Sequence, residues 1–364
     1  MTSSTADLSL AADDRLMADL RAAVQGCDRV SIWKGLGRFL GLGLVCLGSV
    51  AIAWHCTDWR PFVGWSAIAG ITYAFWIICS HDAVHHTLTG VGWLDEALGR
   101  LVSWPIWSVI GVYGELHKLH HGWNGANLDD PERIQRTQAE YDRAGPLRRW
   151  YFRHQWAVDL FGFGAIGIVA RNIREGLRYQ AKNPRIRRQL GCDLAGIIVL
   201  HSLLLAWVLS AEAIGRYLLF WLVVERLVGI IIQAREHLEH YGLWRSDRLH
   251  LLTQLYATRN VRASGLVNWL MGGLPYHSVH HAFPGIPIDQ LPAAFDRIQA
   301  VLQAHDRPPL TVVPGYWRGS AEIARTRHLI PDSPNATKGA SVAPLTDREL
   351  SLNIEMSGME RLES

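Results

Sequence analysis

The sequence predicts an all-α integral membrane protein with four transmembrane helices, paired into two hairpins, and a cytoplasmic helical cap. Three observations carry this expectation. Long uncharged apolar runs alternate with strongly charged stretches, although the whole chain is 49% hydrophobic and 19% charged. The apolar runs come in pairs joined by short links. Sixteen Trp exceed what a soluble domain of this size usually holds, and Trp favours the membrane–water interface.

Taken in order, residues 1–35 are polar, with Leu16, Leu20 and Val24 at i, i+4 and i+8. They read as an amphipathic helix on or before the membrane, or as a plain soluble cap. Asp7, Asp13 and Asp14 precede any apolar run, so the start does not read as a signal peptide. The membrane domain is expected over 36–330, with spans at about 36–55, 61–80, 194–211 and 213–234. Arg38 is expected to snorkel at the start of the first span. Leu101–Tyr113 and Leu160–Ala170 are apolar but too short to cross a ~30 Å core at ~1.5 Å per residue. They read as interfacial or buried helices. The tail 331–364 is rich in Ser, Pro, Thr and Glu and is predicted to be disordered.

Lys and Arg fix the orientation. Gly114–Leu190 holds fourteen of them, against one Arg in the link Asp58–Arg60. The positive-inside rule makes the basic stretch and both termini cytoplasmic. In a bacterial cell this is the inner membrane. The net charge of +3 gives no support to a nucleic-acid role. The five Cys form no C-x-x-C pair, which argues against a zinc ribbon or a disulfide framework.

Eleven of the seventeen His fall in four short windows: His81–His86, His117–His121, His237–His240 and His277–His281. A lone His is usually a satisfied polar residue. On a helix, however, residues three and four apart share a face. His81 with His85, His117 with His120 and His121, and His277 with His280 and His281 can therefore each aim rings at one point. The topology, drawn only from apolar length and Lys/Arg counts, brings all four windows to one membrane face. Zinc sites use three or four ligands, often Cys. Nine or more imidazoles suit two metals of intermediate softness, with two iron ions the leading choice and O2 the co-substrate. Ligating rings need acceptors on their other nitrogen; Asp82, Glu115, Asp129, Asp130, Glu236 and Glu239 are in range by sequence.

The windows His81–His86, His117–His121 and His277–His281 resemble the three histidine boxes of the membrane fatty acid desaturase superfamily. The similarity covers roughly Pro61 to Ile288, and Asn127, Asp130 and Pro131 fit it too. The resemblance implies a di-iron centre held by His81, His117, His120, His121, His277, His280 and His281. His85 and His86 are both included, because the box leaves open which of them binds. It also implies a further ligand after the fourth span, His240, with Glu236 one turn earlier. Asp82, Asp130, Glu236 and His237 are expected behind the ligands.

Glu225 and Arg226 lie within the fourth span, where charge is costly. Counted from the second link, His201 is as deep as Glu225, so a His201–Glu225 contact across the hairpin is expected. The function expected is an O2-dependent desaturase placing a C=C bond in an apolar acyl or alkyl chain, most naturally a fatty acid or lipid. The alternative is a hydroxylase or ketolase acting on a lipid, carotenoid or small metabolite. With no paired Cys for a fused redox segment, a separate ferredoxin-like electron donor is expected. A metal transporter would line a path through the membrane with His, whereas only His201 lies mid-span.

Overall fold

The computed structural model describes residues 2–325 and 329–331; the predicted disordered tail, apart from Pro331, lies outside the described residues. Helix α1 (Thr2–Ala23) is followed by α2 (Ile32–His55) and α3 (Trp59–Val84), which form the first hairpin. The chain returns through α4 (Gly92–Ser103) and a single 3-10 turn, Trp104–Ile106, to α5 (Ile110–Trp123). Short α6 (Gln138–Asp142), α7 (Pro146–Ala157), a π-helical turn Val158–Phe163 and α8 (Gly164–Tyr179) follow. The second hairpin is α9 (Pro184–Ser210) and α10 (Ile214–His240). The remaining helices are α11 (His250–Tyr256), α12 (Gly265–Leu270), α13 (His277–Ala282), α14 (Leu291–Ala304) and α15 (Tyr316–Arg325).

The protein is a helical integral membrane protein. The outer faces of α2, α9 and α10 expose Leu44, Leu203 and Leu218, which suits contact with lipid rather than water. The observed helices run beyond the expected spans because their polar ends continue the same helices out of the apolar core. Five stretches, not four, are long and apolar enough to cross a membrane; the additional one is Pro146–Tyr179, joining α7 to α8. It is not a straight helix. His154 leaves helical φ/ψ, the π turn follows, and Gly164 has φ +58°.

Close approach of backbones sets this region. A Cβ on Gly229 of α10 would stand 2.2 Å from the Ala165 nitrogen and 2.4 Å from Gly164 Cα. Backbone cannot yield as a side chain can, so overpacking here costs at least about 1–3 kcal/mol. Gly229→Ala is expected to lower the thermal midpoint in mild detergent. Gly215→Ala, where a Cβ meets nothing within 4 Å, is expected to leave it unchanged or raise it slightly.

Helix α1 packs against α14. Leu16 and Leu20 are fully buried in a core with Ile298 and Leu302 of α14, and Asp13 and Asp19 reach Arg307 and His305. Asp193 of α9 is also fully buried. It accepts from the Gly111 amide (2.7 Å), Trp104 Nε1 (3.2 Å) and Arg100 Nε (3.3 Å), and so anchors the first turn of α5. Two minimal parallel ladders pair Arg136 and Thr137 with Leu329 and Ile330, and Asn260 and Val261 with Val312 and Val313.

Two expectations about membrane polar groups are corrected. Arg38 does not snorkel: it is buried, and donates to Asp82 Oδ2 at 2.5 Å and to the carbonyls of Trp269 and Leu270. His201 and Glu225 do not meet. His201 Nε2 donates to the Trp104 carbonyl (3.1 Å) and its ring stacks on Trp107 at 4.0 Å. Glu225 pairs with Arg226 and accepts from the Ile166 amide (2.9 Å). Equal depth along two helices says nothing of which way each side chain turns about its helix axis, and α9 turns His201 toward the Trp104–Trp107 turn.

Candidate metal centre

The four His windows converge. His81 ends α3, His117, His120 and His121 end α5, His240 ends α10, and His277, His280 and His281 form α13. Each helix presents its rings one turn apart on one face, as i, i+3 and i+4 spacing requires.

The rings sort into two groups. In the first, ligand atoms of His81, His85, His117 and His280 lie within 4.8 Å of one another. His121 joins them, its Nε2 3.1 Å from that of His117, which is in turn 3.1 Å from His81 Nε2. In the second, His120, His240 and His281 are grouped in the same way, and His277 Nε2 stands 2.9 Å from His240 Nε2. About 3 Å is the edge of an octahedron with metal–nitrogen bonds near 2.1 Å. His85, His280 and His281 each have a buried Nε2 without a hydrogen-bond partner. Orphaned lone pairs aimed at a shared point fit a metal ion, and two such points lie side by side.

Four of the nitrogens facing away are held, whereas Nδ1 of His81, His240 and His277 has no hydrogen-bond partner. His117 Nδ1 donates to Glu132 (2.7 Å), His120 Nδ1 to Asp130 (2.9 Å) and His281 Nδ1 to Gln254 (3.0 Å). His121 Nδ1 points to the His281 carbonyl (3.3 Å). These contacts fix tautomer and ring orientation, leaving Nε2 for a metal. Burial, reinforced by neighbouring rings, holds His117, His121, His277, His280 and His281 well below the usual imidazole pKa, so they are neutral, as ligation requires. His120 differs. Burial opposes its charge, but Asp130 and Glu132 outweigh burial and push it up to about 9; a bound metal would take the place of that proton. Burial pushes Glu132 up to about 7.

Not every expected residue reaches the centre. His86 does not: its φ is +55°, its ring is partly exposed, and the nearest partner of its Nδ1 is Asp95 Oδ2 at 3.9 Å. The left-handed turn after His85 sends the two neighbours apart. His237 does not join the ring groups and donates instead from Nε2 to Asp159 at 2.9 Å. Asp82 turns mainly to Arg38, with His81 Nδ1 3.6 Å away. Glu236 pairs with Arg171 at 2.5 Å. Glu115, mostly buried, pairs with Lys118, and exposed Asp129 pairs with Arg178. Glu132 and Gln254 escaped the sequence reading. Glu132 follows Asp130 by two residues in a loop with no periodicity. Gln254 is 27 residues from its partner and carries no local signal.

A cavity of about 100 Å³ reaches His81 from between α3, α5, α8 and α10. Ile77, Ile106, Ile110, Ile168, Val228 and Ile232 make its walls, while Tyr113, Glu132, Arg171, Asn172 and Glu236 give it a polar end. Tyr113 stacks on His117 with ring centroids 4.8 Å apart.

The family model described as fatty acid desaturase matches residues 57–311. The chain is 23% identical over 316 residues to a Delta(8)-fatty-acid desaturase of Euglena gracilis, covering 77% of this chain and 70% of that protein. It is 22% identical over 326 residues to an sn-1 acyl-lipid omega-3 desaturase (ferredoxin) of a Nostoc species, covering 87% and 89%. It is 25% identical over 273 residues to a ceramide hydroxylase of Caulobacter vibrioides, covering 64% and 72%.

Proposed function

Because the chain belongs to the fatty acid desaturase family, we propose that its two imidazole groups hold two irons and that it places a C=C bond in the acyl chain of a lipid with O2 as co-substrate. The protein is an oxidoreductase, a lipid desaturase. The observation that carries the metal reading is the pairing of ring groups around two adjacent points, with buried, unpartnered Nε2 atoms aimed inward. His81, His85, His117, His121 and His280 are assigned to the first iron, and His120, His240, His277 and His281 to the second.

Two irons held by these rings would supply, with O2 and electrons from a donor, the oxidising power to take hydrogen from an unactivated C–H bond. The chain does the rest. Asp130, Glu132 and Gln254 hold the rings so that no ligand must reorganise. The Ile and Val walls exclude water and hold an alkyl segment beside His81. Tyr113, stacked on His117, closes the metal end of the cavity. The donor is a separate protein of ferredoxin type; the relative from Nostoc, whose name includes ferredoxin, supports this.

For topology, α2, α3, α9 and α10 are the four spans, residues 36–330 form one membrane domain, and the metal centre is cytoplasmic, in bacteria at the inner membrane. The fourteen basic residues of Gly114–Leu190 support this orientation. The kink and π turn support placing α7 and α8 along the interface rather than across the bilayer.

A hydroxylase is the second reading, favoured by the resemblance to a ceramide hydroxylase. The two differ in where the second hydrogen lies. Membranes containing the chain, reduced ferredoxin and O2 are expected to yield lipids short of two hydrogens by mass spectrometry. Lipids that gain one oxygen, with no alkene, would move the assignment to the hydroxylase.

A further inference from the structure

Glu239 is fully buried in the last turn of α10, one residue before His240. Neither of its carboxylate oxygens has a hydrogen-bond partner. Two groups stand near: Arg235 Nη1 at 3.3 Å and His277 Nε2 at 3.5 Å from Oε2. An ionised carboxylate this deep needs close partners, and the Arg235 nitrogens Nε and Nη1 are themselves without hydrogen bonds.

The side from which Glu239 approaches decides its role. Glu132 and Asp130 meet their histidines at Nδ1, behind the ring. Glu239 meets His277 at Nε2, the nitrogen that faces His240 Nε2 at 2.9 Å. His277 Nδ1 has no partner at all, so Glu239 is not its acceptor. A Glu239 carboxylate oxygen and ligand atoms of His240 and His277 all lie within 4.8 Å of one another. The second group has four imidazoles where the first has five, and iron accepts carboxylate oxygen as readily as imidazole nitrogen.

We propose that Glu239 ligates the second metal through a carboxylate oxygen, so that one iron is bound by imidazole alone and the other by four imidazoles and a carboxylate. This rests on the two-iron reading above. The carboxylate brings a negative charge to one site only, which stabilises the more oxidised state of that iron relative to its neighbour. Arg235, one turn earlier, offsets part of the charge.

The test uses the full chain purified in detergent and loaded with 57Fe, read by metal analysis and Mössbauer spectroscopy. The wild type is expected to hold two irons giving two quadrupole doublets of equal area and different isomer shift. Glu239→Gln is expected to lose the second doublet or the iron behind it. Since Gln leaves Arg235 uncompensated, Arg235→Gln/Glu239→Gln is made alongside. If Glu239 serves only Arg235, the double variant regains both irons and both doublets, and the proposal is overturned. If Glu239 is a ligand, the double variant folds with the second doublet still missing or altered. Should neither variant fold, the wild-type spectrum decides. A single doublet carrying two irons overturns the carboxylate ligand and leaves the two-iron reading intact. A folded wild type that takes up no iron overturns both.

Discussion

His85→Ala is expected to abolish turnover and to cost the first site its iron, whereas His86→Ala, one residue on, is expected to keep both. The side chains are chemically identical and adjacent, so the contrast isolates direction. The His85 ring centroid lies within 5.0 Å of those of His81, His117, His121 and His280. His86 itself takes the left-handed conformation, with its Nδ1 3.9 Å from Asp95 Oδ2. Removing a group that merely supports a ligand costs roughly 10–100-fold in metal affinity or activity; removing a ligand costs more. Iron per chain and lipid product measured on both variants check this. Equal losses in the two would mean that the turn does not separate them.

Arg38→Met is expected to destabilise the fold by about 3–5 kcal/mol, a fall in thermal midpoint on the order of 10 °C. The Arg38 and Asp82 side chains are 1% and 5% exposed. Methionine would leave the buried Asp82 carboxylate without its guanidinium partner and release the carbonyls of Trp269 and Leu270. Arg38→Met/Asp82→Asn is expected to recover much of the loss, because it removes both charges together. If the double variant melts with the single one, the two carbonyl contacts, not the ion pair, carry the stability. Iron content should fall with Arg38→Met, since Asp82 adjoins His81 and the Trp269–Leu270 carbonyls lie shortly before His277.

The long helices and most of the box histidines were legible in the sequence because each rests on local rules: apolar length, and spacing of three and four; the helix expected over Leu101–Tyr113 is instead divided between α4 and α5 by the turn Trp104–Ile106. The convergence of His81, His117, His240 and His277 followed from counting spans. What resisted was rotation about an axis and contact across the chain. His201 and Glu225 were placed at equal depth, but depth leaves azimuth free. Arg38 sits at the edge of an apolar run, where a snorkelling cation and a buried ion pair read alike; only Asp82 in three dimensions distinguishes them. His85 and His86 differ through one φ angle that no composition reveals. Glu132 and Gln254 hold their rings from loop and remote helix, without a repeating pattern to betray them.

The short ladder between Arg136–Thr137 and Leu329–Ile330 bears on the order in which the molecule can be made. Arg136 lies four residues past Glu132, in the segment that supplies the supports of His117 and His120. Its partner strand is among the last described residues of the chain. The two ring groups draw on His81 through His281, a separation of 200 positions along the sequence. During synthesis the first hairpin is made long before α13 leaves the ribosome. Neither group is complete until that moment, and the ladder cannot form until later still. Contacts so far apart in sequence close last. Neither ring group can therefore take up a metal before His280 and His281 have been made, long after the first hairpin.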